Sequence, residues 1–287
     1  MGLDRNGVRF LLYARSAGAD FTDFAMIGRQ SLHLTETELG RALSDHGLDA
    51  GASMHALHGG GGGYCEPFIH HLGARTIHSY DYSDYEQATH LHDMNVPIPE
   101  AFKGRYSLVL DGGSLEHVFN FPVAVKNCME MVRVGGHFIS ITPANNFMGH
   151  GFYQFSPELF FSILCPRNGF EPPLVLAVEN RRNGRWYRAK NPGEIRRRVT
   201  FSNSTPTYLM VMAKKVVEEE VFREMPQQSD YVQGWKREPD KRSRLSGTVL
   251  SRRLYKPIER RAKKLVRLFV SGFNPRFFEP FDPGRGP

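Results

Sequence analysis

The chain has 287 residues, 40% of them apolar and 23% charged, which allows one large buried core, or one core with an appendage, and is ordinary for a water-facing globular fold. No apolar run approaches the roughly 20 residues of a membrane-spanning helix, and Met1-Gly2-Leu3-Asp4-Arg5 lacks the pattern of a secretory leader, so a cytoplasmic protein is expected. The formal net charge of +7 is unevenly placed, because residues from 223 onward carry 16 Lys and Arg against 7 Asp and Glu.

Cys65, Cys128 and Cys165 are odd in number and far apart, which excludes a disulfide framework and a Cys-x-x-Cys metal knuckle. Val8 to Tyr13 forms the apolar centre of a first helix. Phe24-Ala25-Met26-Ile27 is a strand that ends at Gly28-Arg29-Gln30. Thr35 with Glu38 three residues on forms a capping box, Leu39, Ala42 and Leu43 give that helix its apolar face, and Gly47 closes it. The five glycines from Gly59 to Gly63 have no Lys-Ser/Thr after them and no strand before them at the right distance, so they are read as a flexible loop rather than a phosphate cradle.

Thr76 to Tyr80 is a second strand ending on Asp81, and Ala88 to His92 a third ending on Asp93. Ser107 to Leu110 is a short apolar strand ended by Asp111-Gly112-Gly113. Phe121 to Val132 has helical spacing, Gly135-Gly136 stops it, and His137 to Thr142 is apolar and β-branched again. Two strands joined by such a helix pair in parallel through a right-handed crossover, and ligands of open sheets sit at the carboxyl ends of the strands. The loop from Asn145 to Phe155, rich in glycine, amide and aromatic side chains, is read as pocket-lining. Ser156-Pro157-Glu158 caps the next helix, and Leu174 to Val178 and Tyr208 to Met212 form an antiparallel pair with a long polar connection. That makes seven strands.

Beyond Glu224 the composition turns to Gln, Ser, Pro, Arg and Lys, which sets residues 1–224 apart from a basic extension, 225–287. An amphipathic helix is expected there from about Pro257 to Ser271. It could pack on its own domain, lie at the inner face of a membrane as a peripheral contact, or, as the weakest of the three readings, bind nucleic acid.

Asp81, Asp93 and Asp111 stand at consecutive strand tips. Three carboxylates in that arrangement favour a ligand site, since each costs desolvation without a partner. Leu108-Val109-Leu110-Asp111-Gly112-Gly113-Ser114-Leu115-Glu116-His117-Val118 and Arg133-Val134-Gly135-Gly136-His137-Phe138-Ile139-Ser140-Ile141-Thr142-Pro143 resemble the fourth- and fifth-strand motifs of the class I S-adenosylmethionine-dependent methyltransferases. The chain looks like a bacterial, type 11-like branch with Ile27-Gly28-Arg29-Gln30 in place of an acidic Gly-x-Gly loop. The resemblance implies a Rossmann-like α/β three-layer sandwich whose seven-stranded, mostly parallel sheet has one antiparallel strand. It implies S-adenosylmethionine as cofactor and a small-molecule or glycan oxygen or nitrogen as acceptor, with nucleic-acid methylation or a non-catalytic binding role as rivals.

Carried across residue by residue, the resemblance puts Asp81 on the ribose, Asp93 and Met94 at the adenine, and Asp111 with Gly112 beside the methionine moiety. Gly28 would allow close approach, and Arg29 or Gln30 would meet the cofactor carboxylate. His117 and His150 are the candidates for the base that takes the acceptor proton. His90 with His92, and His70 with His71, lack metal-ligand spacing, and no metal site is expected.

Overall fold

The computed structural model describes residues 2–49, 53–60, 63–181, 184–236 and 273–284. A short strand β1 (Gly2–Asp4) leads into α1 (Arg5–Ser16), whose N-terminus is closed by the Asp4 carboxylate accepting from Gly7 N at 2.8 Å. Then follow β2 (Asp23–Ile27), β3 (Ser31–His33), α2 (Glu36–Asp45), α3 (Met54–Leu57), α4 (Glu66–His71), β4 (Thr76–Asp81) and β5 (His90–Leu91). The second half contains β6 (Tyr106–Asp111), α5 (Phe121–Met131), β7 (Val132–Asn145), α6 (Pro157–Ile163), β8 (Leu174–Glu179), β9 (Trp186–Ala189), α7 (Pro192–Ile195), β10 (Thr207–Lys214), α8 (Ser229–Lys236) and β11 (Phe278–Phe281).

The main sheet has nine strands in the order β11-β9-β8-β10-β7-β6-β2-β4-β5. β5, β4, β2, β6 and β7 run parallel, while β10 is antiparallel to both β7 and β8, and β9 is antiparallel to β8 and β11. The chain winds outward from β2 to β5 and then returns to place β6 on the other side of β2. The topological switch point therefore falls between β2 and β6, whose register pairs Ile27 with Asp111.

Helices cover both faces, which explains why β6 reads as an unbroken apolar run with all six residues buried. Phe24, Met26, Leu108, Leu110, Ile139 and Ile141 point to the layer of α1, α2 and α4. Ala25, Ile27, Val109 and Phe138, one residue out of phase with them, point to α5 and α6. The predicted capping box forms as expected, with Thr35 Oγ1 accepting from Glu38 N at 3.2 Å and Glu38 Oε2 from Thr35 N at 3.0 Å.

The sheet departs from the expected seven strands with one antiparallel member. β9 and β11 extend it to nine, and both β10 and β9 run against the rest. β9 lies inside the stretch read as a polar connection. Its Trp186 is buried against Phe10 of α1, and Arg9 lies over the indole at 5.5 Å, so a basic neighbourhood hides one core anchor. Within the segment set apart by composition, Phe278 to Phe281 pair with Ala189 to Trp186, Phe281 packs on Tyr13, and Asp230 of α8 forms an ion pair with Arg198.

Other differences are local. β3 interrupts the first βα unit and pairs with β1 in a separate two-stranded sheet. The third parallel strand shrinks to His90–Leu91, and Ser156 precedes α6 without a side-chain capping bond. The helix expected from Pro257 to Ser271 lies outside the described residues. Among the described residues no helix is long and apolar enough to cross a membrane.

Candidate ligand site at the switch point

Where β2 ends, Gly28 takes φ +68°, in the left-handed region that glycine enters without strain, and its N–H donates to Tyr80 O at 2.7 Å. This bends the chain so that the Gln30 side chain turns inward and is fully buried. Gln30 Nε2 donates to Ile27 O at 2.9 Å and lies 3.3 Å from Gly28 O and 3.4 Å from Ser114 Oγ. Its Oε1 has no partner among the described residues. A Cβ on Gly112 would stand 2.5 Å from that oxygen, so the amide and the β6 loop approach as closely as glycine permits.

Arg29 points the other way. Its Nε donates to Glu66 Oε1 at 2.6 Å, its Nη1 to Glu86 O at 3.0 Å, and its guanidinium lies 3.8 Å from the centre of the Tyr64 ring. Asp81 is half-buried at the tip of β4, with Oδ1 accepting from Tyr82 N at 2.7 Å and Ser83 N at 3.4 Å. Asp93 lies two residues beyond β5. The Asn95 backbone and side-chain N–H groups, at 2.8 and 2.7 Å, hold its carboxyl below the usual carboxylate range. Met94 beside it is buried.

Asp111 is buried and its two oxygens are occupied. Oδ1 accepts from Ser114 N at 2.9 Å and Leu115 N at 3.2 Å, and Oδ2 from Ser140 Oγ at 2.7 Å. Burial raises its pKa while these bonds oppose the rise. The structure thus brings Gly28, Gln30, Asp111 and Gly112 together at the switch point and sets Asp81 on the neighbouring strand tip. It turns Arg29 toward α4 instead.

A second cluster lies beyond β6. Leu115 to His117 form a single 3-10 turn, and Glu116 is 1% exposed. Its carbonyl oxygen accepts from Phe152 N at 2.8 Å and Tyr153 N at 3.3 Å, which docks the loop after β7 onto this turn. A Cβ on Gly151 would stand 2.8 Å from the same oxygen, so that approach also requires glycine. The docked loop brings His150 Nε2 to 3.3 Å from Glu116 Oε1 and the His150 ring to 4.9 Å from His117. Burial, followed by the charge of Asp111, pushes the Glu116 carboxyl up to about 8. Burial and His150 lower the His117 pKa.

Phe119, Met148 and Phe152 are exposed around this cluster, and Phe119 and Phe152 meet edge to face at 5.7 Å. A cavity of about 150 Å³ opens at the carboxyl end of β7, lined in part by Ala144, Asn145, Phe155, Phe201 and Phe278. Sequence reasoning singled out His117 and His150 separately and overlooked Glu116, which joins them. It also overlooked Ser140, which the β6–β7 register sets opposite Asp111.

The strand order and the switch-point loops define a doubly wound α/β fold whose candidate ligand site lies at the carboxyl edge of its sheet. No family model matches the chain, and no curated protein matches it. Solved structures similar to it include the trans-methyltransferase CalH in complex with SAH, at 12% identity over 74% of this chain and 57% of that one, with a TM-score of 0.40. Another is 1,6-didemethyltoxoflavin-N1-methyltransferase from Burkholderia thailandensis with S-adenosylhomocysteine, at 11% identity over 74% of this chain and 78% of that one, TM-score 0.40. A third is an rRNA methylase from Streptococcus thermophilus, at 10% identity over 72% of this chain and 95% of that one, TM-score 0.34. The chain thus spans little more than half of the CalH protein. At such distances the ground for function is this chain's own strand order and side chains.

Proposed function

We propose that the protein is an S-adenosylmethionine-dependent methyltransferase acting on an oxygen or nitrogen of a small molecule or glycan. The observation that carries this reading is the orphaned Gln30 Oε1, buried at the switch point against Gly112, with the Asp81 carboxylate at the adjacent strand tip. A buried acceptor without a donor costs roughly 1–3 kcal/mol, so its retention is best explained by a donor that arrives with a ligand. The ammonium of an amino-acid moiety is such a donor, and ribose hydroxyls are the natural donors to Asp81.

S-adenosylmethionine bound there would supply an electrophilic methyl group on its sulfonium, open to in-line attack by an acceptor lone pair with S-adenosylhomocysteine as the leaving group. Gln30 Oε1 would accept from the ammonium, Asp81 would take the ribose hydroxyls, and Asp93 with Met94 would border the base. Asp111 acts at one remove: by holding Ser114 N and Leu115 N it fixes the loop that carries Gly112. Arg29 is spent on Glu66 and Glu86, and the Gln30 donor on Ile27 and Gly28 carbonyls, so neither is assigned to the cofactor carboxylate. On the acceptor side, His117 and His150 offer proton-accepting imidazoles beside the exposed aromatic pair Phe119 and Phe152. The basic stretch from 223 onward adds attraction to an anionic membrane surface, which salt-dependent vesicle retention of the full chain would reveal.

Calorimetric titration of the full chain with S-adenosylmethionine and S-adenosylhomocysteine tests the reading. Binding is expected for both, weakened about tenfold or more in Asp81→Ala. The filled space beside Gly112 and the engaged Arg29 favour a second reading, a binding module of the same fold without transfer activity. Failure of both ligands to bind at millimolar concentration would select it.

A further inference from the structure

We infer that Glu116, His117 and His150 form a binding site for a divalent transition-metal ion of the zinc type. The inference rests on the geometry of these three side chains and not on methyl transfer; with an ion bound, their donor atoms are engaged as ligands rather than available as proton acceptors.

One donor atom from each residue can be chosen so that all lie within 4.8 Å of one another. A tetrahedral zinc ion with bonds of about 2.0–2.1 Å holds its donors roughly 3.3–3.4 Å apart. His150 Nε2 and Glu116 Oε1, at 3.3 Å, already stand at that spacing. Both imidazoles are exposed, so each ring can turn by a rotamer to close the remaining gap without disturbing the core.

The carboxylate gives the second, independent observation. Glu116 is 1% exposed, and its Oε2 is buried without a hydrogen-bond partner among the described residues. Nearby Asp111, by contrast, has partners on both oxygens. Burying a carboxylate with one long contact to a half-exposed imidazole is costly, and a cation placed between it and the two histidines would offset that cost. The site is also built rather than incidental. The Glu116 carbonyl holds the backbone of Phe152 and Tyr153, and Gly151 allows the contact, so the loop that delivers His150 is fastened to the residue that supplies the carboxylate.

Donor chemistry selects the ion. Imidazole with carboxylate suits zinc and its transition-metal neighbours, whereas magnesium and calcium prefer oxygen alone. Three protein ligands leave at least one coordination position for water or a substrate oxygen, as at open zinc sites.

The test is direct titration of the full chain, stripped with EDTA, with ZnCl₂, and with Co²⁺ as a spectroscopic probe. One equivalent is expected to bind, with visible Co²⁺ bands from a nitrogen- and oxygen-ligated site. His117→Ala and His150→Ala change exposed rings and are expected to keep the thermal unfolding profile while weakening binding by at least about tenfold. Glu116→Gln should do the same for binding. Magnesium should not compete. A chain that takes up no zinc would overturn the inference. So would folded His117→Ala and His150→Ala variants that bind zinc as the wild type does, with binding lost instead in His55→Ala, whose Nδ1 lies 2.9 Å from Glu36 Oε1.

Discussion

Ser140 Oγ donates a 2.7 Å hydrogen bond to Asp111 Oδ2, linking the end of β6 to the interior of β7 beneath the loops of the candidate ligand site. The other Asp111 oxygen organises the turn that carries Gly112 and Ser114, so one buried carboxylate ties two strands to the switch-point loop. Its value lies in satisfying three donors that water cannot reach. Asp111→Ala should therefore destabilise the fold by about 3–5 kcal/mol, and Ser140→Ala, which leaves one oxygen of the carboxylate unpaired, by about 1–3 kcal/mol. Urea denaturation of both single variants and the double variant checks this. A coupling energy near zero would mean that the two side chains do not act as a pair.

Gln30 and Gly112 make a second reciprocal test. The Gly112→Ala methyl would meet Gln30 Oε1 at 2.5 Å, and the buried amide has little room to retreat. A loss of about 1–3 kcal/mol is expected from that overpacking. Truncation in Gln30→Ala removes the obstacle, so the double variant should be more stable than the sum of the two single losses implies. Strict additivity in thermal or urea unfolding would show that the side chain does not occupy the space in front of Gly112.

Much of this frame was legible in the sequence because it rests on local signals. Thr35 and Glu38 specify a cap, the run from Ser107 to Leu110 specifies a strand buried on both sides, and Pro157 opens a helix. What escaped needs pairing between distant segments. β9 is stable because Trp186 fits against α1 and because β11, about 90 residues later, pairs with it. No window of sequence contains both facts. Asp111 read as a ligand-facing acid because a strand-tip carboxylate looks the same whether its partners come from a ligand or, as here, from the protein. Glu116 lay in plain view within Leu-Glu-His-Val, but its link to His150 depends on a loop fold that Gly151 alone only hints at.

Arg29 separates two assignments for the switch-point loop. The sequence resemblance offers its guanidinium to a cofactor carboxylate, whereas the structure commits it to Glu66, Glu86 and Tyr64. Arg29→Lys retains a charge near Glu66 but loses the bond to Glu86 and most of the stacking on the ring. It should lower thermal stability modestly and leave the affinity for S-adenosylhomocysteine within about threefold of wild type. A loss of about a hundredfold in affinity, with little change in melting temperature, would return the guanidinium to the ligand.

The aromatic cluster around β4 and β5 is expected to contribute to the acid limb of stability. The His78 Nδ1 pairs with Tyr106 Oη at 2.8 Å, the His90 ring meets His78 at 4.8 Å and Phe102 at 4.8 Å, and His90 Nε2 is buried without a partner among the described residues. Burial, then the charge of Arg105, lowers the pKa of both histidines. A histidine held neutral in the fold regains its ordinary pKa of about 6.5 on unfolding, so below that pH the unfolded chain binds more protons. Stability is then complete above about pH 6.5 and falls as pH drops through the window beneath it. His90→Phe places an apolar ring of similar size among Tyr80, Phe102 and His78, removes the unpartnered nitrogen, and deletes one of the two titrations. Melting temperatures taken from about pH 7.5 to about pH 5.5 should fall less steeply for this variant than for wild type, with the gain concentrated at the acid end. Parallel curves for the two proteins would mean that His90 is protonated in the fold as readily as in the unfolded chain, and the acid sensitivity would then have to originate elsewhere, with buried His137 as the next side chain to replace.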